Sequence, residues 1–419
     1  MTDSGASLDE VLEPLALWEG VGVEVEYAIV DAATLDVKPV ADLLLEAATG
    51  KTDGPDGPGD VLRPPLAWSN ELALHVIELK TALPAAGFSG LAPLFQASVD
   101  EVVALLRPLG ARLLPGGMHP WMDPETELRL WPHEYTDVYR TFDRIFGCTG
   151  HGWANLQSTH VNLPFRGDVE FVRLHDAIRL VLPLIPALAA SSPVLEGAIG
   201  PALDNRLRAY RENSRNVPSV SGKVVPERVS SRADYHETIL GRIYADLAPH
   251  DPEGTLRHEW VNARGATARF SRGSIEVRVV DCQECIPSDL AVAAAVAGAV
   301  RVVADGEGHG PADAVLHETL ERTIVRGRHA IVDDPAYLER LGFGDRLASA
   351  GELWARLAEP VLADAALPEL HGPLRVILAR GPLAERIVGA LGQAPTRAEL
   401  REVYGRLCDC VERGEPFLD

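Results

Sequence analysis

Two glutamates one residue apart, Glu24 and Glu26, stand in an alternating β-branched run from Val21 to Val30 that reads as a strand, so both carboxylates share one face. Polar residues interrupt other strand-like runs in the same way. These are Glu71 and Glu78 in NELALHVIELKT, His160 in NLQSTHVNLPF, and Glu276 with Arg278 on one face of SIEVRVVD. Any one of them alone reads as a solvent-facing strand residue or half of an ion pair. Their collective pattern suggests convergence, and bare convergence is costly: two carboxylates ~4 Å apart repel by about 4 kcal/mol at an intermediate dielectric. A divalent cation removes that cost. Carboxylate oxygens with one imidazole suit Mg²⁺ or Mn²⁺, and Mg²⁺ is usually held by a few carboxylates together with substrate phosphates.

Other motifs fail, and each failure excludes a class. The GKT at 50–52 lacks the glycine a phosphate loop needs at position 45, where the chain has Leu45. His133, His236 and His258 each precede a glutamate, but Asp137, Leu240 and Asn262 replace the second histidine of a zinc-protease helix. Cys282 and Cys285 have zinc or redox spacing without a matching second pair, which favours buried packing. No Ser or Cys triad is evident. Arg211 and Arg215, in AYRENSRNVP, could grip a substrate carboxylate with their guanidinium forks or could simply line a solvated helix face. Asn262, Arg264 and Arg269, in NARGATARF, could line a nucleotide or substrate pocket. Asn155 and Gln157 have one strand parity, His160 and Asn162 the other, so a bulge near Ser158 or Thr159 would be needed to aim all four at one site.

The blocks GVEVEY, NELALHVIELKT, GGMHPW, NLQSTHVNLPF and SIEVRVVDCQE, in that order between about Trp18 and Val303, resemble the family 2 glutamate-cysteine ligases and related bacterial carboxylate-amine ligases. The resemblance implies a glutamine-synthetase-like fold, whose curved antiparallel sheet holds ATP and two or three Mg²⁺ ions on its concave face. It implies metal-ligand roles for Glu24, Glu26, Glu71, Glu78, His160 and Glu276, and catalytic roles for Arg278, facing the transferred phosphate, and Glu78. The acid and amine would be glutamate and cysteine or comparable small molecules. A second histidine common among carboxylate-amine ligases is replaced here by Asn162, which bears on the ligand set and the amine. An ATP:guanidino kinase and a non-catalytic ligand-binding relative are the alternatives, and the paired carboxylates on one strand favour metal binding over the kinase.

These residues need elements to position them. A length of 419 residues, 46% hydrophobic and 24% charged, is a globular composition. A net charge of −22 lacks the basic footprint of a nucleic-acid or anionic-membrane binder. An acidic start without an apolar stretch, and an odd count of five cysteines, predict a cytoplasmic protein with free thiols. The acidic opening reads as helix-like, and 50–65, rich in Gly, Pro and Asp, as a loop with a strand resuming at Leu72. Helices are expected at Leu91–Leu109, at Phe171–Ala190 with kinks at Pro183 and Pro186, and from Pro287 to the end, with a capping box at Thr396 and Glu399. The apolar run Leu290–Val303 reads as a buried core helix. The order predicts an α+β fold: one catalytic domain over 1–419, a sheet-bearing core at about 18–303, and a helical portion at about 288–419 that either covers the sheet or forms a homo-oligomer contact.

Overall fold

The computed structural model describes residues 14–50, 60–306, 308, 310–344 and 346–418. The acidic opening at 1–13 and most of the Gly/Pro-rich loop, 51–59, lie outside the described residues.

Alternation in strand β1 (Gly22–Asp31) puts Val23, Val25, Tyr27 and Ile29 on one face, and all four are fully buried. Each contributes about 1.5–3 kcal/mol of apolar burial, which fixes which face turns inward. Around β1 lie β2 (Val61–Arg63), β3 (Leu66–Asn70), β4 (Val76–Thr81), β5 (Ala111–Leu114) and β6 (Ser158–Pro164). The hairpin of β7 (Val194–Leu195) and β8 (Ala198–Ile199) is separate, and β9 (Ala266–Arg269) and β10 (Ser274–Asp281) complete the main sheet. Its order is β2-β3-β4-β1-β6-β10-β9, antiparallel throughout, with β5 also paired to β1.

The helices Leu91–Leu106, Gly167–Val181 and Ile286–Asp305 cover the apolar face and share one core with it. Ile286–Asp305 is long and apolar enough to cross a membrane, but 72% of its most apolar stretch is buried inside the protein, as expected of a core helix. The two prolines break the preceding helix as predicted: it ends at Val181, passes through a 3₁₀ turn at Leu182–Leu184, and resumes at Ile185–Ala189 with Pro186 in its first turn.

Three sequence expectations are corrected. The strand expected from Leu72 begins at Val76, and Leu66–Asn70 is a separate strand whose five buried residues carry no alternation to betray it. The helix face suggested for Arg211 and Arg215 is not formed, because the helix there, Asn205–Tyr210, ends before both. The C-terminal part is helical except for a short pairing of β11 (Ile331–Val332) with β12 (Ala348–Ser349). Capping boxes start the helices Ala350–Leu357 and Arg397–Arg413, the latter at Thr396 and Glu399 as read. The last helix lies against β5, where Arg112 pairs with Asp409 and Glu412, both at 2.7 Å. All five cysteines are free and buried.

Candidate active site

The face of the sheet opposite the core is polar by the same alternation that makes the other face apolar. In register, Glu26 stands opposite Glu78, Glu24 opposite both Lys80 and His160, and Glu276 opposite Asn162. Gly22 leaves room for its partner Asn162: a Cβ at position 22 would stand 3.0 Å from the Asn162 Cβ and push it by a few tenths of an ångström. Glu71 lies in the connection between β3 and β4 and shares a hydrogen bond with Glu78. These residues border a cavity of ≈ 630 Å³, roofed by the helices Thr136–Phe146, His151–Ala154 and Asn205–Tyr210 and by the segment 255–263.

Hydrogen bonds tie the charged groups together. His160 Nδ1 lies 3.0 Å from Glu24 and its Nε2 3.0 Å from Ser158 Oγ, while Ser158 donates its backbone N–H to Glu26 at 2.7 Å. Asn162 donates to the second Glu24 oxygen at 3.0 Å. Glu276 is bracketed by two guanidinium groups, Arg269 at 2.8 Å and Arg278 at 3.0 Å. Lys80 donates to Ser69, which donates to Glu78.

The two acidic groups of the face differ in electrostatics. Burial disfavours the charge on Glu24, but the hydrogen bond and charge of His160, with Lys80 and Arg272 behind them, outweigh it and hold the carboxyl below its usual range. Burial likewise opposes the imidazolium of His160, and the surrounding Glu24, Glu26 and Glu276 raise its pKa on balance. Glu78 is pushed up to about 7, first by burial and then, against the pull of Lys80, by Glu24 and Glu26. Glu71 is raised well above the carboxylate range by burial, Glu26 and Glu78. The Glu71–Glu78 end is therefore only partly compensated, by Lys80 at 3.7 Å from Glu78, whereas the Glu24–His160 and Glu276 ends are held by closer cationic partners. Among the described residues, no group of three or more His, Cys, Asp or Glu side chains stands ready-made to hold a metal ion. The face instead presents carboxylates engaged with histidine, serine, lysine and arginine.

The structure brings Glu24, Glu26, Glu71, Glu78, His160, Glu276, Arg269 and Arg278 to the cavity. Other candidates stand elsewhere. Arg211 is at the surface, paired with Glu321, and Arg215 is exposed; neither lines the cavity. Arg264 is buried in a two-pronged pair with Glu227 at 2.6 and 2.8 Å, steadied by Asn262, whose Nδ2 donates to Tyr235. Asn155 is taken up by the backbone of His119, at 2.7 and 2.9 Å, and Gln157 is buried away from the cavity. The irregularity expected in β6 falls instead in β10, between Val277 and Val280, opposite the stretch that carries His160. With β6 regular, Asn155 and Gln157 precede the strand and stay off its polar face.

Sequence reasoning missed Lys80, Arg272 and Arg206 as cavity residues. Lys80 was findable, since it has the strand parity of Glu78. Arg206 was not: it reaches the cavity from the roof, fixed by Asp281 at 3.3 Å and by the Arg278 carbonyl at 2.8 Å, partners more than 70 residues away.

The model of glutamate-cysteine ligase family 2 matches residues 20–330. An uncharacterized protein of Archaeoglobus fulgidus is 33% identical over 398 residues, covering 95% of this chain and 100% of its own. The chain belongs to glutamate-cysteine ligase family 2. The ligase also shares its fold with solved structures at low identity. A glutamate–cysteine ligase of Francisella tularensis, in complex with AMP, superposes with a TM-score of 0.59 at 11% identity, covering 96% of this chain and 90% of that one. A bifunctional glutathione synthetase of Pasteurella multocida gives 0.57 at 14%, covering 94% and 53%. Membership makes the ligase an ATP-dependent enzyme that joins a small carboxylate to a small amine through an amide bond, which displaces the kinase and the non-catalytic relative.

Proposed function

We propose that the ligase activates a carboxylate of glutamate, or of a comparable small acid, as an acyl phosphate and passes the acyl group to an amine. A carboxylate is a poor electrophile. Its oxygen attacks the γ-phosphorus of ATP and the bond to the β-phosphate oxygen breaks, releasing ADP. The amine nitrogen then attacks the carbonyl carbon, the carbon–oxygen bond to phosphate breaks, and the nitrogen loses a proton. No side-chain nucleophile is needed, so the protein's part is positioning and charge neutralisation.

The observation that carries this reading is the polar sheet face itself, where five glutamates and a histidine meet arginines in one cavity. Arg269 and Arg278, both anchored by Glu276, present fixed positive charge to a phosphoryl group. Arg272 and Arg206 extend the cationic wall, and His160 orients Glu24 and Glu26. The donor set fits Mg²⁺, or Mn²⁺, because Glu26, Glu71 and Glu78 are hard oxygen donors crowded without full compensation, as the raised pKa values of the last two attest. Glu24, Glu26, Glu71 and Glu78 would hold the metal, with His160 and Glu276 beside them. When bound, Mg²⁺ offsets phosphate charge and polarises the transferred group. We read the sheet as glutamine-synthetase-like, the chain as one catalytic unit, and its free thiols as fitting the cytoplasm.

ADP release by the purified protein with Mg²⁺ and ATP, screened over acid–amine pairs with glutamate held as one partner, tests the proposal. ADP that appears only with both partners, with a product lighter than their sum by one water, is the expected result. No nucleotide binding in the presence of Mg²⁺ would overturn it.

A further inference from the structure

Arg206 is held from outside the cavity that it lines. It stands on the roof helix Asn205–Tyr210 and is 2% exposed. Its Nη1 donates to Asp281 Oδ1 at 3.3 Å and its Nη2 to the Arg278 carbonyl at 2.8 Å, while its Nε–H has no partner among the described residues. The Arg278 carbonyl needs such a donor because it lies in the irregularity of β10 between Val277 and Val280, where pairing with β6 is interrupted. Asp281 lines no part of the cavity and is fully buried. Its Oδ2 accepts from the Ser191 N–H and from Ser192 Oγ, both at 2.8 Å. Ser192 Oγ in turn accepts the backbone N–H of Arg206 at 3.1 Å, which ties the two ends of the pair together. Gly117, in the GGMHPW block, packs on the same carboxyl: a Cβ there would stand 2.5–2.8 Å from its three atoms, and the Gly117 N–H donates to Ser191 Oγ at 2.8 Å.

A buried ion pair adds little to stability by itself, so the needs of the core do not account for an aspartate ringed by donors whose guanidinium partner borders the cavity. Resting on the ligation reading, we infer that Asp281 is a positioning residue for phosphoryl transfer: it clamps Arg206 against the Arg278 carbonyl, so that both guanidinium groups meet the γ-phosphoryl group of ATP in one fixed arrangement. The clamp serves both arginines. Arg278 has its side chain 3.0 Å from Glu276 and its carbonyl fixed by Arg206, which sets the placement of each relative to the other. The N–H groups of Arg206 that the protein does not engage are left for the ligand. Without the carboxylate Arg206 keeps its charge and loses its direction, and a donor stabilises developing phosphate charge only where it is already aimed.

Calorimetric titration of the purified protein with Mg²⁺ and ADP, and with Mg²⁺ and the β,γ-imido analogue of ATP, tests this, because only the analogue carries the third phosphate. Asp281→Asn turns an amide N–H₂ toward either the serines or Arg206, and is expected to weaken the analogue about tenfold while ADP stays within about twofold. In steady-state ADP release the same variant is expected to lower kcat about tenfold or more, with KM for the acid within about twofold. Arg206→Lys, which keeps the charge and loses the fork, should reproduce the selective loss. If Asp281→Asn does not fold, Ser192→Ala, at a position that lines no part of the cavity, decides in its place: a selective loss of about threefold supports the inference, and none overturns it. Equal weakening of both nucleotides, or no change in either, would mean that the clamp serves the fold alone and would overturn it. A rise confined to KM for the acid would overturn it as well, assigning Arg206 to the substrate carboxylate and leaving the ligation reading standing. No nucleotide binding by the wild type removes the ligation reading and this inference with it.

Discussion

His160 sits between two glutamates, so its protonation reports directly on the acidic face. Replacing Glu24 by Gln removes one of the charges that hold its pKa up and leaves at most a weaker, neutral hydrogen bond, while the burial that pushes it down remains. The His160 pKa is therefore expected to fall by about one to two units in Glu24→Gln, followed by the imidazole resonances in an NMR titration. An unchanged value would mean that the pair is not formed in solution. Two arginines make the complementary case. Arg211→Ala should leave kcat and KM within about twofold, because its partner Glu321 is a surface group outside the cavity. Arg264→Ala should leave activity to follow folding and cost about 2–3 kcal/mol in urea unfolding, since it leaves the buried Asn262 and Ser219 carbonyls unpaired beside a void, while the part-exposed Glu227 returns to water. The sequence could not separate these two guanidinium groups: their roles depend on partners 110 and 37 residues away.

At the scale of elements, the strands that carry the acids were legible because one face is buried and the other polar. Ser274–Asp281 has the bounds that its alternation implies, and β1 differs by one residue at each end. What alternation could not show was β3, buried on both sides, and the bulge in β10, which depends on how two distant strands register. Helix Gly167–Val181 offers a test of burial read this way. His175 lies on it against the rings of Phe171, at 5.6 Å, and Tyr235, at 5.7 Å. Burial first, and then the charge of Arg179, pushes its pKa down to about 3 from the ordinary 6.5. The native state thus holds His175 neutral where the unfolded chain binds a proton, so stability is lost as pH falls from 6.5 towards 3, at roughly 1.4 kcal/mol per pH unit, and is unaffected by this group above 6.5. His175→Phe should lose about 2 kcal/mol less than the wild type in urea unfolding between pH 6.5 and 4.5. Equal losses in the two proteins would show that the ring is solvated or charged in the native state.

At the scale of the whole molecule, 61 acidic residues against 39 basic ones leave a surface that repels itself. The ion pairs do not cancel this. Many join exposed partners, such as Arg166 with Glu19, and contribute roughly 0–1 kcal/mol each. The buried ones, Arg386 with Glu284 and Arg206 with Asp281, are shielded from bulk salt and set local geometry: Arg386 also holds the Phe417 carbonyl and thus docks the C-terminal tail. Added salt should therefore relieve the long-range repulsion more than it weakens the pairs that matter. The Debye length falls from ~30 Å at 0.01 M to ~8 Å at 0.15 M, so salt screens the longer-range repulsion first. At pH 7.5 the unfolding midpoint is expected to rise by about 5 °C between 0.01 and 0.5 M NaCl. At pH 5, near the sequence pI of ≈ 5.0, the net charge is gone and the same addition should produce no rise. A midpoint that falls with salt at pH 7.5 would mean that the exposed pairs, summed, outweigh the repulsion, and the acidic surface would then be read as organised into stabilising networks and not as a uniform negative field.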